Sequence, residues 1–230
     1  TGNVTNMNNM FSDAIEFNQP IGDWDTGNVT NMNSMLDGAT VFDQPIGDWD
    51  TSNVEDMSEM FRDAGSFNQP IGDWDTGNVT DMNNMFKGAP GNKTDFNNGN
   101  SSGINNWNTG KVTKMSNMFE ECSFNQPIGN WDTGKAIFMV MMFQGANGFN
   151  QPIGNWDTSS VIDMTAMFNS ATEFNQNISG WDVEKVVPQS GGALPYTSTD
   201  GPADFSNNSA INSETAKKPK YLGASSNWAN

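Results

Sequence analysis

The chain has no histidine and a single cysteine, Cys122, among its 230 residues. Histidine-based catalytic triads, Cys/His metal clusters and an internal disulfide are thereby excluded. No run of about 18 apolar residues occurs, so no transmembrane helix is expected. Positive charge is scarce as well: ten Lys and Arg face 27 Asp and Glu, for a formal charge of −17. A nucleic-acid partner is not expected from such a chain, because phosphate binding needs the opposite sign. Divalent cations and basic partners remain compatible with it. The imbalance is greatest in residues 1–75, where 14 acidic side chains face Arg62 alone.

What abounds is Asn, Gly, Asp, Ser and Thr, and the mean hydropathy is −0.61. Few globular interiors are built from this composition, whereas a repeat array is, since each of its units buries only a thin stripe. The stretch F-N-Q-P-I-G-D-W-D-T at Phe17 to Thr26 supplies the repeat. Val4 and Val29, Phe17 and Phe42, and Trp24 and Trp49 all lie 25 residues apart, a period diagnostic of an array. Counted from its Thr, the unit starts at Thr1, Thr26, Thr51, Thr76, Thr109, Thr133 and Thr158. The fourth unit is longer, with its extra residues in 90–103, and the fifth is one residue short. Insertions in arrays map to loops, so this one is expected to bulge from a corner and to tolerate substitution at Asn98 and Ser101. The array is expected to span 1–186, leaving 187–230 as a divergent C-terminal cap or tail.

Within a unit, Met7, Met10, Phe11 and Ala14 stand at i, i+3, i+4 and i+7, which predicts a short helix capped by Thr5. Pro20 then marks a corner. The partial alternation of Ile21-Gly22-Asp23-Trp24-Asp25 predicts a short strand with Trp24 inward and Asp23 and Asp25 outward. One helix and one parallel strand per unit, joined by tight corners, amount to a right-handed α/β superhelix of seven coils.

The motifs V-T-N-M-N-N-M-F, A-x-x-F-N-Q-P-I-G and W-D-T resemble the repeat of BspA-like leucine-rich-repeat surface proteins, also known as the mycoplasma-type lipoprotein repeat, over Thr1 to about Val186. The resemblance implies a leucine-rich-repeat-like solenoid, an extracellular or cell-surface location, and adhesion or recognition without catalysis. This chain departs from it in placing Met and Phe where leucine-rich repeats use Leu, and in its fourth-unit insertion.

Three ladders are candidate sites. Trp24, Trp49, Trp74, Trp107, Trp131, Trp156 and Trp181 would form either a sugar-stacking platform or, better suited to a residue repeated at an inward register, a core column. Asn18, Asn68, Asn97, Asn125, Asn150 and Asn175, with Asp43 in the second unit, resemble the asparagine ladder of leucine-rich repeats, whose amides satisfy stranded backbone groups. Asp23, Asp48 and Asp73, beside Asp25, Asp50 and Asp75, are the ligand-binding candidates on the outward strand face. The first three offer weak calcium binding; the alternative is a solvated face with Asx turns. No other cofactor is expected. Cys122 occupies a slot that Ala fills in other units and is expected to be buried and inert. Sequons stand at Asn3, Asn28, Asn78, Asn92, Asn100, Asn177 and Asn207.

The expected function is a non-catalytic cell-surface or secreted module that binds a protein or glycan; the alternative is a structural subunit of a larger extracellular or organellar assembly. Ice binding ranks last, because it needs a double Thr array and only the ladder from Thr26 to Thr158 is present.

Overall fold

The computed structural model describes residues 1–186; the expected cap at 187–230 lies outside the described residues. The units stack in register, one on the next, but the α/β solenoid with a helix and a strand in each coil is not what the chain forms. Among the described residues there is no α-helix and no β-strand. The regular elements are two short 3-10 helices, Asn98–Asn100 and Ser102–Asn106, and a set of isolated bridges.

The expected helix is replaced by tandem turns. In the first unit the N–H groups of Met10, Ser12 and Ala14 donate three residues back, to Met7, Asn9 and Phe11, at 3.1–3.2 Å. The alternate N–H groups, of Met7, Asn9, Phe11 and Asp13, instead donate to the carbonyls of Asn31, Asn33, Met35 and Asp37 in the next unit at 2.7–3.0 Å. An α-helix would keep all of these bonds to itself. The third residue of the turns that close on Met10 and Ala14, and of their equivalents in later units, has positive φ: Asn9 and Asp13, Ser34 and Gly38, Glu59 and Asp63. That left-handed conformation interrupts a helix, and Asn, Asp and Gly adopt it at least cost. Chained turns point residues 7, 10, 11 and 14 inward just as a helix would, so one apolar stripe fits both.

The expected strand at Ile21 to Asp25 is a turn as well. The Trp24 N–H donates to the Ile21 carbonyl at 3.2 Å, and the same bond closes the Trp49, Trp74, Trp107, Trp131, Trp156 and Trp181 turns. Glycine is required here by crowding: a Cβ on Gly22 would stand 2.6 Å from the Pro45 carbonyl oxygen of the next unit. Parallel pairing occurs elsewhere, as single bridges running through Asn6, Asn31, Asp56, Asp81, Lys114, Phe138 and Asp163.

The interior is a set of columns. Phe17, Phe42, Phe67, Phe96, Phe124, Phe149 and Phe174 stack with centroids 5.7–6.3 Å apart. Phe61, Phe86, Phe119, Phe143 and Phe168 form a second column at 5.6–5.7 Å. Met, Val and Ile columns complete the core. The Thr26, Thr51, Thr76, Thr109, Thr133 and Thr158 hydroxyls tie each level of the stack to the next. They donate to the carbonyls of Asp50, Asp75, Asn108, Asp132, Asp157 and Asp182 at 2.7–3.1 Å. These six Thr side chains are buried, which removes them from any ice-facing array.

The insertion is not the free bulge expected. Phe96 enters the aromatic column, and Asn98 is fully buried. The Asn98 Oδ1 accepts the Ile71 N–H at 2.8 Å, and its Nδ2 donates to the Ser101 carbonyl at 2.7 Å. Extra residues therefore flank Phe96 on both sides while the columns pass through undisturbed.

Candidate ligand-binding face

Each predicted ladder has a definite place. Trp49, Trp74, Trp107, Trp131, Trp156 and Trp181 are 3–4% exposed. Their indole N–H groups donate to the Ile carbonyl of the preceding unit at 2.9–3.1 Å. A ring held in this way offers no face to a sugar. Trp24, in the first unit, is half-buried.

The Asn ladder is a hydrogen-bond relay. The side-chain oxygens of Asn18, Asp43, Asn68, Asn97, Asn125 and Asn150 each accept the N–H of the equivalent residue one unit on, ending at Asn175, at 2.8–3.0 Å. Several also accept from a Gln side chain beside that N–H. These side chains bind the stack to itself.

The acidic pairs divide. Asp25, Asp50 and Asp75 are exposed and accept the N–H two residues on, from Gly27, Ser52 and Gly77, forming Asx turns at the corner. The Ser52 hydroxyl and N–H hold the Asp50 carboxyl below its ordinary range, and Ser159 does the same for Asp157. Asp23, Asp48 and Asp73 lie exposed at the Ile-to-Trp turns. Among the described residues, no three acidic or thiol side chains gather closely enough to hold a metal ion.

Cys122 is buried, with its Sγ 3.4 Å from the Phe96 carbonyl, and burial pushes the pKa of its thiol up to about 11. It is not a nucleophile in this state. Two of the sequon amides are committed to structure, Asn28 Nδ2 to the Gly2 carbonyl and Asn78 Nδ2 to the Ser52 carbonyl, both at 2.7 Å. Asn207 lies outside the described residues.

A shallow groove runs along the bridge ladder, away from these ladders. A groove of about 470 Å³ is lined by Thr30, Asn31, Glu55, Asp56, Thr80, Asp81, Thr113 and Lys114. Four successive units thus contribute two adjacent side chains each. The Thr30, Thr80 and Thr113 hydroxyls can turn back to the carbonyl of the preceding unit at 3.2–3.3 Å. Lys114 Nζ sits 2.7 Å from Asp81 Oδ2, and this bond raises the lysine pKa. Among the described residues, neither Glu55 nor Asp56 forms an ion pair, so the groove is net acidic. Sequence reasoning passed over these residues. Their signal was variation inside the repeat: the pair after each Val reads Thr-Asn, Glu-Asp, Thr-Asp and Thr-Lys, while the flanking Val and Met stay fixed.

The family model described as "Mycoplasma protein of unknown function, DUF285" matches residues 1–99 and 91–192. The chain belongs to this family. The two DUF285 matches together cover the stacked units and overlap in the inserted segment of the fourth. No curated protein and no solved structure matches the chain. No helix among the described residues is long and apolar enough to cross a membrane.

Proposed function

We propose that the chain is a non-catalytic recognition module, cell-surface or secreted, that binds a protein or glycan along the groove at Thr30 to Lys114. The observation that carries this reading is the groove itself, in which hydroxyls, amides and carboxylates from four units line one continuous concave face. Such a surface suits a ligand with a repeated pattern of hydroxyl or ammonium groups, because every unit meets it with the same backbone frame and a different side-chain pair. The likeness of its motifs to BspA-like surface proteins supports the location.

The test is binding of the full chain to immobilised glycans, neutral and amino-bearing, and to basic peptides. It is run beside the Glu55→Gln, Asp56→Asn, Asp81→Asn variant. Binding that the variant loses supports the reading. Equal binding by both, or turnover of a glycan or peptide that disappears with one carboxylate, contradicts it.

A further inference from the structure

The sixth unit breaks the pattern of the outer face. Ile137, Phe138, Val140 and Met141 hold four positions that each of the first five units fills with polar side chains; in the fifth these are Thr113, Lys114, Ser116 and Asn117. Phe138 is 36% exposed, and the other three are half-buried. Bridges from Phe138 to Lys114 and to Asp163 set it between two stacked units. Its exposure therefore belongs to the middle of the array, not to an end.

The backbone gains nothing from the exchange. At the position of Phe138, the side chains of Asn6, Asn31, Asp56, Asp81 and Asp163 each accept the N–H two residues on. A phenyl ring cannot, and the Val140 N–H turns to the Ser116 hydroxyl at 3.2 Å. Met141 has a φ of 53°, a conformation that Asn9, Asn84 and Asn117 adopt at the same position and that suits Asn better than Met. Apolar side chains placed outward against local preference in one unit mark a contact surface.

We infer that Phe138 and the acidic groove together receive an extended segment of a partner protein, one with a basic side chain four residues from a large apolar one. The ligand class, which rests on the reading of the groove as the binding face, thereby narrows from protein or glycan to peptide. Charge complementarity selects the occupant. Glu55 and Asp56 form no ion pair among the described residues, whereas Asp81, nearer Phe138, is neutralised by Lys114. Phe138 stands three levels from Asp56 on the bridge ladder, which is about 14 Å at about 4.8 Å per level. An extended peptide covers about 13 Å in four residues and keeps its first and fifth side chains on one face. Its cation then meets Glu55 and Asp56 as its apolar end packs on Ile137 and Phe138. A neutral glycan matches only the hydroxyl-lined part.

The probes are Lys-Ser-Thr-Ser-Leu and its reverse, blocked at both ends, titrated into the full ¹⁵N-labelled chain by NMR. Saturable binding of one direction is expected, with shifts centred on the Asp56, Asp81, Lys114 and Phe138 amides. Phe138→Asn installs the residue type of the first two units, so the fold should persist while binding weakens about fivefold or more. Glu55→Gln with Asp56→Asn should weaken it as much and remove its salt dependence. Unchanged affinity in either variant, or equal binding of a peptide with Ser for Leu, would overturn the inference. Glycan binding that needs the carboxylates but not Phe138, without peptide binding, overturns it and leaves the groove reading intact; binding of neither overturns both. Tighter peptide binding after Lys217, Lys218 and Lys220→Ser, or the same shifts on concentrating the chain alone, would also overturn it. Those results would assign the face to the chain's own basic segment or to a second copy.

Discussion

Truncating Phe67 to alanine removes a ring that is fully buried in the third unit. It packs 4.1 Å from Phe61 within its own unit, and 5.9 and 6.0 Å from Phe42 and Phe96 in the units on either side. Large-to-small changes in such a core cost about 3–5 kcal/mol, and stacked neighbours on three sides leave little room for collapse into the gap. Phe17 is the control, because it occupies the same column in the first unit but is half-buried and, among the described residues, stacks on one neighbouring unit only, through Phe42. Phe17→Ala should therefore cost about half as much, roughly 1.5–2.5 kcal/mol. Urea unfolding followed by Trp fluorescence gives both values from the midpoints, provided the slopes agree. Equal losses for Phe67→Ala and Phe17→Ala would refute the picture of a column that is closed in the middle and open at the first unit.

Asn98→Ala should cost about 1–3 kcal/mol, because it strands the Ile71 N–H in the interior; thermal melts check this, and a neutral result would return the insertion to a free loop. The lowered pKa of Asp50 contributes stability that is present above its unfolded value and is lost as pH falls through the folded one. Ser52→Ala should raise the Asp50 pKa toward the ordinary carboxylate range in a ¹³C NMR titration, and an unchanged value would remove the hydroxyl from the argument. Calcium and sodium chloride at matched ionic strength should shift the melting temperature equally, by screening the acidic first units. A calcium-specific rise that the Asp23, Asp48, Asp73→Asn variant loses would instead establish a cation site.

The spacing of Phe17, Phe42 and Phe67 made the period and the inward columns legible in the sequence, since a side chain returning every 25 residues in a stack returns to the same place. The backbone was not legible in the same way. Met7, Met10, Phe11 and Ala14 satisfy the spacing of an amphipathic helix and that of two chained turns equally well, and apolar positions do not report where N–H groups go. Asn9 and Asp13 held the deciding signal, as residues tolerant of positive φ, but Glu59, Met141 and Ala166 adopt the same conformation and mask the pattern. At Ile21 to Asp25, a turn that buries Ile and Trp produces the same alternation as a strand. Asn98 looked like loop composition because the sequence alone does not show the Ile71 N–H that it serves. The groove was not legible in the repeated Asp-Trp-Asp, because the variable pair after each Val is what lines it.

In the first six units, alternate N–H groups of the turn segment leave their own unit for the next. Trans-hydrogen-bond scalar couplings between amide nitrogen and carbonyl carbon measure this directly. Couplings from Met57 to Asp81, Glu59 to Asn83 and Phe61 to Met85 are expected, matching bonds of 3.1, 2.8 and 2.9 Å. A coupling from Phe61 to Met57, the bond a helix would make, would contradict it.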